Sequence, residues 1–259
     1  MQKLSLTLLL IAGIVVSAVA QSNMLYTTDI GPLLTTQWGQ RGAYAKFTPT
    51  KVRTGCWAAA LAQILYYHRV QPSGEVTFWH EGGQSNKVVA LDHQFDWSLF
   101  VNSISNATAM ASQDEVATYT YYTYLAINEK VAAPTNVQPR TPFSDLARPG
   151  LKKYFKCSTR RVRSGDAGGM DAVKKTVVSE LTAKRPMMLY AHPHAFVIDG
   201  VRIGEKGFEV HLNCGWGGVD NKWYVFDQPF DTHFGPLGGT GRWVMLIQPP
   251  APSIPAPKK

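Results

Sequence analysis

The chain has 259 residues, of which 45% are hydrophobic and 17% are charged, and its formal net charge is +8. This composition is typical of a globular protein with a sizeable core and excludes an intrinsically disordered chain. The basic residues are scattered apart from Lys152-Lys153 and the run from Arg160 to Arg163, which favours a solvated surface over a nucleic-acid-binding patch. Three cysteines are too few for a small disulfide-stapled domain and indicate one free thiol, with or without a bridge between the other two.

The first twenty residues have the pattern of a secretory signal peptide. Met1-Gln2-Lys3 is a short basic start, an apolar run follows from Leu4 to Val16, and Ala18 and Ala20 are the small residues that a signal peptidase requires. We therefore expect a signal peptide over 1–20 and a secreted protein, extracellular or periplasmic. The apolar run is short for a membrane span, so no stable membrane insertion is expected after cleavage, although an uncleaved anchor is the alternative.

The remaining elements are predicted in chain order from hydrophobic periodicity and turn residues. An alanine- and leucine-rich helix is predicted over 56–67, with Thr54 as its N-cap. Further helices are predicted over 114–127, over 143–155 with an interruption at Pro149-Gly150, and over 171–182. Strands are predicted at 187–190, 195–199, 208–213, 222–226 and 243–248, and a Pro-rich tail at 249–259. Helices followed by antiparallel strands predict an α+β fold for one domain over 21–248.

Cys56 opens the first strong helix. The partial positive charge of a helix N-terminus stabilises a thiolate, so this position predicts a nucleophilic cysteine with a lowered pKa. The structural alternative is a small buried residue at a helix end, and only a base elsewhere in the chain decides between the two.

His194 is the candidate base. It begins an apolar strand pattern, which places it at a strand edge, and His192 two residues earlier is its competitor. Asn213 ends a later strand before a glycine-rich turn, and its side-chain oxygen could fix the tautomer of the imidazole. The chain order Cys56, His194, Asn213 is then that of nucleophile, base and orienting group.

Three stretches carry a resemblance to a known family. They are Pro32-Leu-Leu-Thr-Thr-Gln-Trp-Gly-Gln40, Thr54-Gly-Cys-Trp-Ala-Ala-Ala-Leu-Ala-Gln-Ile-Leu-Tyr-Tyr-His68, and His194-Ala-Phe-Val-Ile-Asp-Gly200 with Asn213-Cys-Gly-Trp-Gly-Gly218. In this order they resemble the streptopain family of papain-like cysteine peptidases, and the resemblance covers residues 30–248. Several separate motifs in one order are more specific than any of them alone.

The resemblance implies a papain-like fold with two lobes, one helical and one rich in antiparallel strands, with the cleft between them. It implies that Cys56 is the nucleophile, that His194 is the base and that Gln40 donates to the oxyanion through its side-chain amide. Trp216 matches the second tryptophan of the family motif, and Trp57 follows the nucleophile, so both are expected to support the cleft.

The chain also departs from the family pattern. Cys214 stands where the family has tryptophan, Pro193 stands where it has glycine, and its glycine- and serine-rich loop is not recognisable at 129–142. Ten residues separate Gln21 from Gly31, so the family's long inhibitory propeptide is not expected. Control by a separate inhibitor protein, or by a disulfide between Cys56 and Cys214, would then take its place.

The function implied is hydrolysis of protein or peptide substrates through a thioester acyl-enzyme. No cofactor is expected, and no metal, because no cysteine and histidine cluster has the spacing of metal ligands. Two alternatives stay open: a papain-fold amidase or transamidase, and an inactive peptidase homologue that acts as a binding protein.

Overall fold

The computed structural model describes residues 26–48, 53–79, 86–129, 143–239 and 241–251. The predicted signal peptide over 1–20, most of the loop at 129–142 and residues 252–259 of the predicted tail lie outside the described residues. The domain limits proposed for these ends therefore stay predictions.

Four α-helices lie in the described part of the chain: α1 (Cys56–Tyr67), α2 (Met110–Asn128), α3 (Phe143–Phe155) and α4 (Gly169–Thr182). The prediction of α1 is confirmed at both ends, whereas its predicted cap is wrong. Gly55, not Thr54, is the N-cap residue, and no side chain caps this helix. Gly55 has a φ of 86°, a conformation that glycine adopts without the steric cost other residues carry.

The predicted interruption of α3 is also wrong, because the helix continues through Pro149. Proline removes one backbone hydrogen bond from a helix, but tertiary packing can offset that loss. Here Gly150 lies directly against α2, and a Cβ atom at this position would fall 1.8 Å from the carbonyl oxygen of Ala126. The close approach of the two helices holds α3 in helical conformation through the proline.

Within the residues that the structure describes, the strands form one large sheet and two hairpins. Their bounds are β1 (Thr28–Ile30), β2 (Glu75–Trp79), β3 (Asn86–Ala90), β4 (Ser158–Arg163), β5 (Met187–Ala191), β6 (His194–Gly204), β7 (Gly207–Asn213), β8 (Lys222–Val225), β9 (Phe230–Thr232), β10 (Gly235–Leu237) and β11 (Trp243–Gln248). The seven-stranded sheet has the order β4-β11-β5-β6-β7-β8, and β1 pairs with the distal part of β6. All its pairings are antiparallel, and the smaller sheets are the hairpins β2-β3 and β9-β10.

The large sheet separates two hydrophobic cores. One core contains α1, α2, α3 and the residues of one sheet face, such as Val197 and Met245. The other contains α4 and the opposite face, including Phe196 and Val244. Side chains of successive strand residues point to opposite faces, so the apolar strands β5, β6 and β11 supply both cores. The α+β prediction is confirmed.

This arrangement brings distant parts of the chain to one place. α1 packs against β5 and β6, and the tight β5-β6 turn pairs Ala191 with His194. The turn after β7 lies against the N-terminal segment, where the N–H of Gly217 donates to the carbonyl of Trp38 at 3.4 Å. The start of α1, the start of β6, the end of β7 and the segment around residue 40 therefore meet.

Candidate active site

Cys56 lies where the start of α1 meets the start of β6. Its residue is half-buried, and the backbone N–H groups of Cys56, Trp57 and Ala195 interact with its sulfur. Ala195 directly follows His194, so the thiol lies at the strand residue next to the candidate base. The structure thus brings together two residues separated by more than half of the chain.

The protonation state of Cys56 differs from the expectation. The helix N-terminus, the three N–H groups and the positive charge of Arg53 favour a thiolate, but burial favours the neutral thiol and is the larger effect. The pKa of Cys56 is therefore raised, not lowered. The resting thiol carries its proton, and a base is needed to remove it when the sulfur attacks.

His194 is held in one orientation. Its ring lies buried at the start of β6, and Nε2 donates a hydrogen bond of 2.8 Å to the backbone carbonyl of Cys214. Because Nε2 holds the proton in that bond, Nδ1 is left with a lone pair and can accept one. The rings of Trp216 and Phe196 pack on the imidazole, with centroid distances of 4.5 and 4.6 Å.

His192, the competing histidine, is exposed and its Nδ1 lies 3.2 Å from the hydroxyl of Tyr190. It thus makes a surface contact, whereas the buried His194 has a fixed ring and a fixed proton.

Burial lowers the pKa of His194 to about 4, and the hydrogen bond to Cys214 only partly opposes this effect. Between pH 6.5 and about 4 the unfolded chain therefore binds a proton at this histidine that the folded protein does not bind. We expect the folded protein to lose on the order of 3 kcal/mol of stability through this group as the pH falls across that window.

Denaturant unfolding at a series of pH values measures this loss. A His194→Gln variant cannot titrate at this position, so its free energy of unfolding should fall less steeply than that of the wild type between pH 6.5 and 4. Parallel curves for the two proteins would contradict the lowered pKa.

Asn213 makes no hydrogen bond to the imidazole of His194, contrary to the expectation from the sequence. Its Nδ2 donates to the carbonyl of Thr36 at 2.6 Å and to Oε1 of Gln63 at 2.9 Å, and its Oδ1 accepts from Nε2 of Gln63 and from the N–H of Gly215, both at 3.1 Å. These bonds use its full capacity. The backbone carbonyl of the next residue, Cys214, is the group that orients the ring of His194.

Gln40 lies beside the residues that precede α1. Its backbone carbonyl accepts from the N–H of Thr54 at 2.9 Å, two residues before Cys56. Its side-chain Nε2 donates to the carbonyl of Gly215 at 3.1 Å, which leaves the second proton of that amide available to another acceptor. The side-chain amide is therefore anchored to the turn after β7, and the backbone of Gln40 to the segment that precedes Cys56.

The two predicted tryptophans lie on different sides of the site. Trp216 covers His194 and also contacts His233 and Phe234, with centroid distances of 4.9 Å to each. Trp57 packs with Tyr190 and Trp243, at 5.8 and 5.6 Å. Trp216 thus shields the imidazole from water, whereas Trp57 anchors the start of α1 to the sheet.

Gln63 is the residue of this site that the sequence reasoning missed. It is fully buried and bonded to Asn213, to Ala59 and to the N–H of Trp38. One feature of the sequence could have identified it: Gln63 is a single amide in an otherwise apolar helix segment. A buried polar side chain needs hydrogen-bond partners, so such a residue indicates a polar contact inside the protein.

The three cysteines are free thiols. Cys214 is fully buried in the second core, where its Sγ donates to the carbonyl of Asp220 at 3.3 Å. Burial raises the pKa of Cys157 and of Cys214 to about 12 in each case. Cys56 packs against the other core, so the geometry favours a space-filling role for Cys214 over a bridge to Cys56.

The described parts of the chain contain neither a candidate membrane-spanning helix nor a candidate metal-binding cluster. Within 26–48, 53–79, 86–129, 143–239 and 241–251, no helix is both long and apolar enough to cross a membrane. The same residues contain no group of three or more histidine, cysteine or acidic side chains placed to hold a metal ion.

Two known proteins are similar to this chain in sequence. The chain is 23% identical to streptopain of Streptococcus pyogenes serotype M1 over 212 residues, which cover 75% of the chain and 51% of streptopain. It is 26% identical over 179 residues to the thiol protease/hemagglutinin PrtT of Porphyromonas gingivalis, covering 65% of the chain and 20% of PrtT. The chain thus spans about half of streptopain and a fifth of PrtT.

Two solved structures are similar to this chain in fold. The active wild-type interpain A cysteine protease of Prevotella intermedia matches with a TM-score of 0.65 and 26% identity, over 85% of this chain and 95% of that one. A fragment of prointerpain A matches with a TM-score of 0.66, over 85% and 72%. The model of the Peptidase C10 family matches residues 38–224. The chain therefore belongs to the Peptidase C10 family.

Proposed function

We propose that the protein is a secreted cysteine endopeptidase that cleaves peptide bonds through a thioester acyl-enzyme. The observation that carries this proposal is the meeting of Cys56 with the start of β6, where His194 is buried with its Nε2 bonded to the Cys214 carbonyl. A thiol beside an imidazole of fixed tautomer is the arrangement that nucleophilic catalysis requires. Membership of a peptidase family supports the same reaction class.

The first half of the reaction forms the thioester. Nδ1 of His194 takes the proton of the Cys56 thiol while the sulfur attacks the carbonyl carbon of the scissile peptide, which gives a tetrahedral oxyanion. The imidazolium then donates its Nδ1 proton to the leaving amine, and the C–N bond breaks. The raised pKa of the thiol and the lowered pKa of the imidazole favour a neutral pair at rest, with proton transfer occurring during the attack.

The second half releases the acyl group. His194 removes a proton from a water molecule that attacks the thioester, and the C–S bond of the second tetrahedral intermediate breaks. The thiolate of Cys56 regains a proton from the imidazolium, and the product leaves as a carboxylic acid. Atoms and charge balance without a metal or a redox cofactor.

Gln40 and the Cys56 N–H are proposed as the oxyanion donors. Because removal of one such donor typically costs about 3 kcal/mol of barrier, Gln40→Ala should lower kcat by about 10²-fold with little effect on KM. The measurement is steady-state cleavage of a fluorogenic peptide. Gln37→Ala removes an exposed amide three residues away and is the matched control, expected to keep nearly wild-type kcat.

The activity itself is tested with reduced protein and unfolded casein. We expect cleavage within the casein chain, inhibition by a thiol-directed reagent, and a covalent adduct on Cys56 in the inhibited protein. Intact casein in the presence of a folded protein with a reactive Cys56 would contradict the endopeptidase proposal. Small amide and peptidoglycan-fragment substrates, tested in the same way, separate a peptidase from an amidase.

Secretion is proposed from the basic and apolar pattern of residues 1–20. Amino-terminal sequencing of exported protein should begin at Gln21, and retention of Met1 would contradict cleavage there.

We also propose that a separate inhibitor protein restrains the enzyme. Its expected signature is a complex, formed in the producing cell, in which Cys56 cannot be alkylated.

A further inference from the structure

The Gln63 side chain is a fully buried amide with no unused bonding capacity. Its Oε1 accepts from the N–H of Trp38 at 3.1 Å and from Nδ2 of Asn213 at 2.9 Å. Its Nε2 donates to the carbonyl of Ala59 at 3.2 Å and to Oδ1 of Asn213 at 3.1 Å. Gln63 and Asn213 therefore form a reciprocal pair, in which each amide donates to and accepts from the other.

Each member of this pair is also bonded to a different part of the active site. Gln63 lies two turns along α1 from Cys56, and through Ala59 it is bonded to its own helix. Asn213 bonds the N–H of Gly215, on the segment that presents the Cys214 carbonyl to His194.

The N-terminal segment is the third part. Both amides hold it: the N–H of Trp38 donates to Gln63, and the carbonyl of Thr36 accepts from Asn213. That segment continues directly to Gln40, whose side chain is bonded to Gly215. The Gln63–Asn213 pair thus joins the three segments that carry the proposed nucleophile, base and oxyanion donor.

We propose that Gln63 is a positioning residue which, through Asn213, fixes Cys56, His194 and Gln40 relative to one another. The inference rests on the proposed peptidase function. Buried amides that lose a partner must find another or stay unsatisfied, so disruption of the pair shifts the three segments relative to one another. A displacement of about 1 Å between reacting groups is enough to reduce turnover by about 10²-fold.

Gln63→Met tests the proposal, because methionine keeps the length of the side chain and removes all four hydrogen bonds. We expect kcat on a fluorogenic peptide to fall by about 30- to 100-fold, while KM changes by less than about threefold. The rate at which iodoacetamide alkylates Cys56 should also change, by about tenfold, because it reports the coupling of Cys56 to His194 without any substrate. Gln113→Met, a similar change near the start of α2, is the control and should leave both rates unaltered.

Stability is measured on the same samples by thermal unfolding, and rates are divided by the titrated fraction of active sites. A merely structural role would lower that fraction and the melting temperature and leave kcat per active site and the alkylation rate near those of the wild type, which would overturn the proposal. If Gln63→Met does not fold, Gln63→Glu keeps both acceptor contacts and is measured instead. Failure of both variants to fold would assign Gln63 to the fold alone and also overturns the proposal.

The alkylation rate separates this inference from the proposed function. A wild-type protein that does not cleave peptides, but whose Cys56 alkylation depends on Gln63, would contradict the peptidase proposal and support the positioning role.

Discussion

Replacing Cys56 with alanine is expected to reduce kcat/KM for peptide cleavage by at least about 10⁴-fold, because the proposed thioester requires the sulfur of Cys56. The variant should fold like the wild type, because Cys56 is the first residue of α1 and alanine is a good helix former. Cleavage of a fluorogenic peptide under reducing conditions measures the loss, and circular dichroism checks the fold.

Cys157→Ala is the control for this variant. Cys157 is 1% exposed and belongs to the first core, so its removal should affect stability and leave turnover unchanged. Iodoacetamide should label Cys56 before Cys157 and Cys214, with a rate that increases toward alkaline pH as the raised pKa of the thiol requires. Substantial cleavage by Cys56→Ala would assign the nucleophile to another residue.

The second large effect is expected at the base. His194→Ala should lower kcat/KM by about 10³- to 10⁴-fold, because the protonated thiol is a poor nucleophile and the leaving amine receives no proton. His192→Ala should keep at least about a tenth of the wild-type rate, because its side chain is exposed and contacts Tyr190. The two substituted residues are two positions apart at the β5-β6 turn, and the cleavage rates of the two variants are compared on the same peptide.

The pH profile provides a further check on this assignment. The proposed mechanism requires the neutral form of His194, so kcat/KM of the wild type should decrease as the pH falls through about 4. If the decrease in kcat/KM near pH 4 persists in His194→Ala, or if His192→Ala loses more activity than His194→Ala, the role of base belongs to His192.

Parts of the fold and of the site were predictable because they depend on local sequence. α1 follows from a run of alanine and leucine, and β11 from a short apolar run between glycine and proline. β4 was missed because its sequence, Ser-Thr-Arg-Arg-Val-Arg, is mostly polar. It lies at the edge of the sheet, where exposed charged side chains are tolerated and discourage pairing with other chains.

Other features depend on contacts between distant residues. The raised pKa of Cys56 comes from burial that only the assembled lobes produce. The group that orients His194 is the backbone carbonyl of Cys214. Every residue has a backbone carbonyl, so the pattern of side chains in the sequence cannot indicate this one. Gln63 and Asn213 are separated by 150 residues, so their pairing follows from the packing of α1 against the sheet and not from either segment alone.

The position of β11 in the large sheet has a consequence for when the enzyme becomes active during its synthesis. This strand lies between β4 and β5, and its alternating side chains enter both cores. A ribosome produces Cys56 and His194 well before residues 243–248. Until those residues are synthesised, β4 has no neighbouring strand in the sheet, and both cores lack the side chains that β11 contributes. The nascent chain therefore carries every proposed catalytic side chain without the framework that aligns them. We therefore expect the proposed peptidase activity to require residues 243–248 and to appear only when the domain is nearly complete.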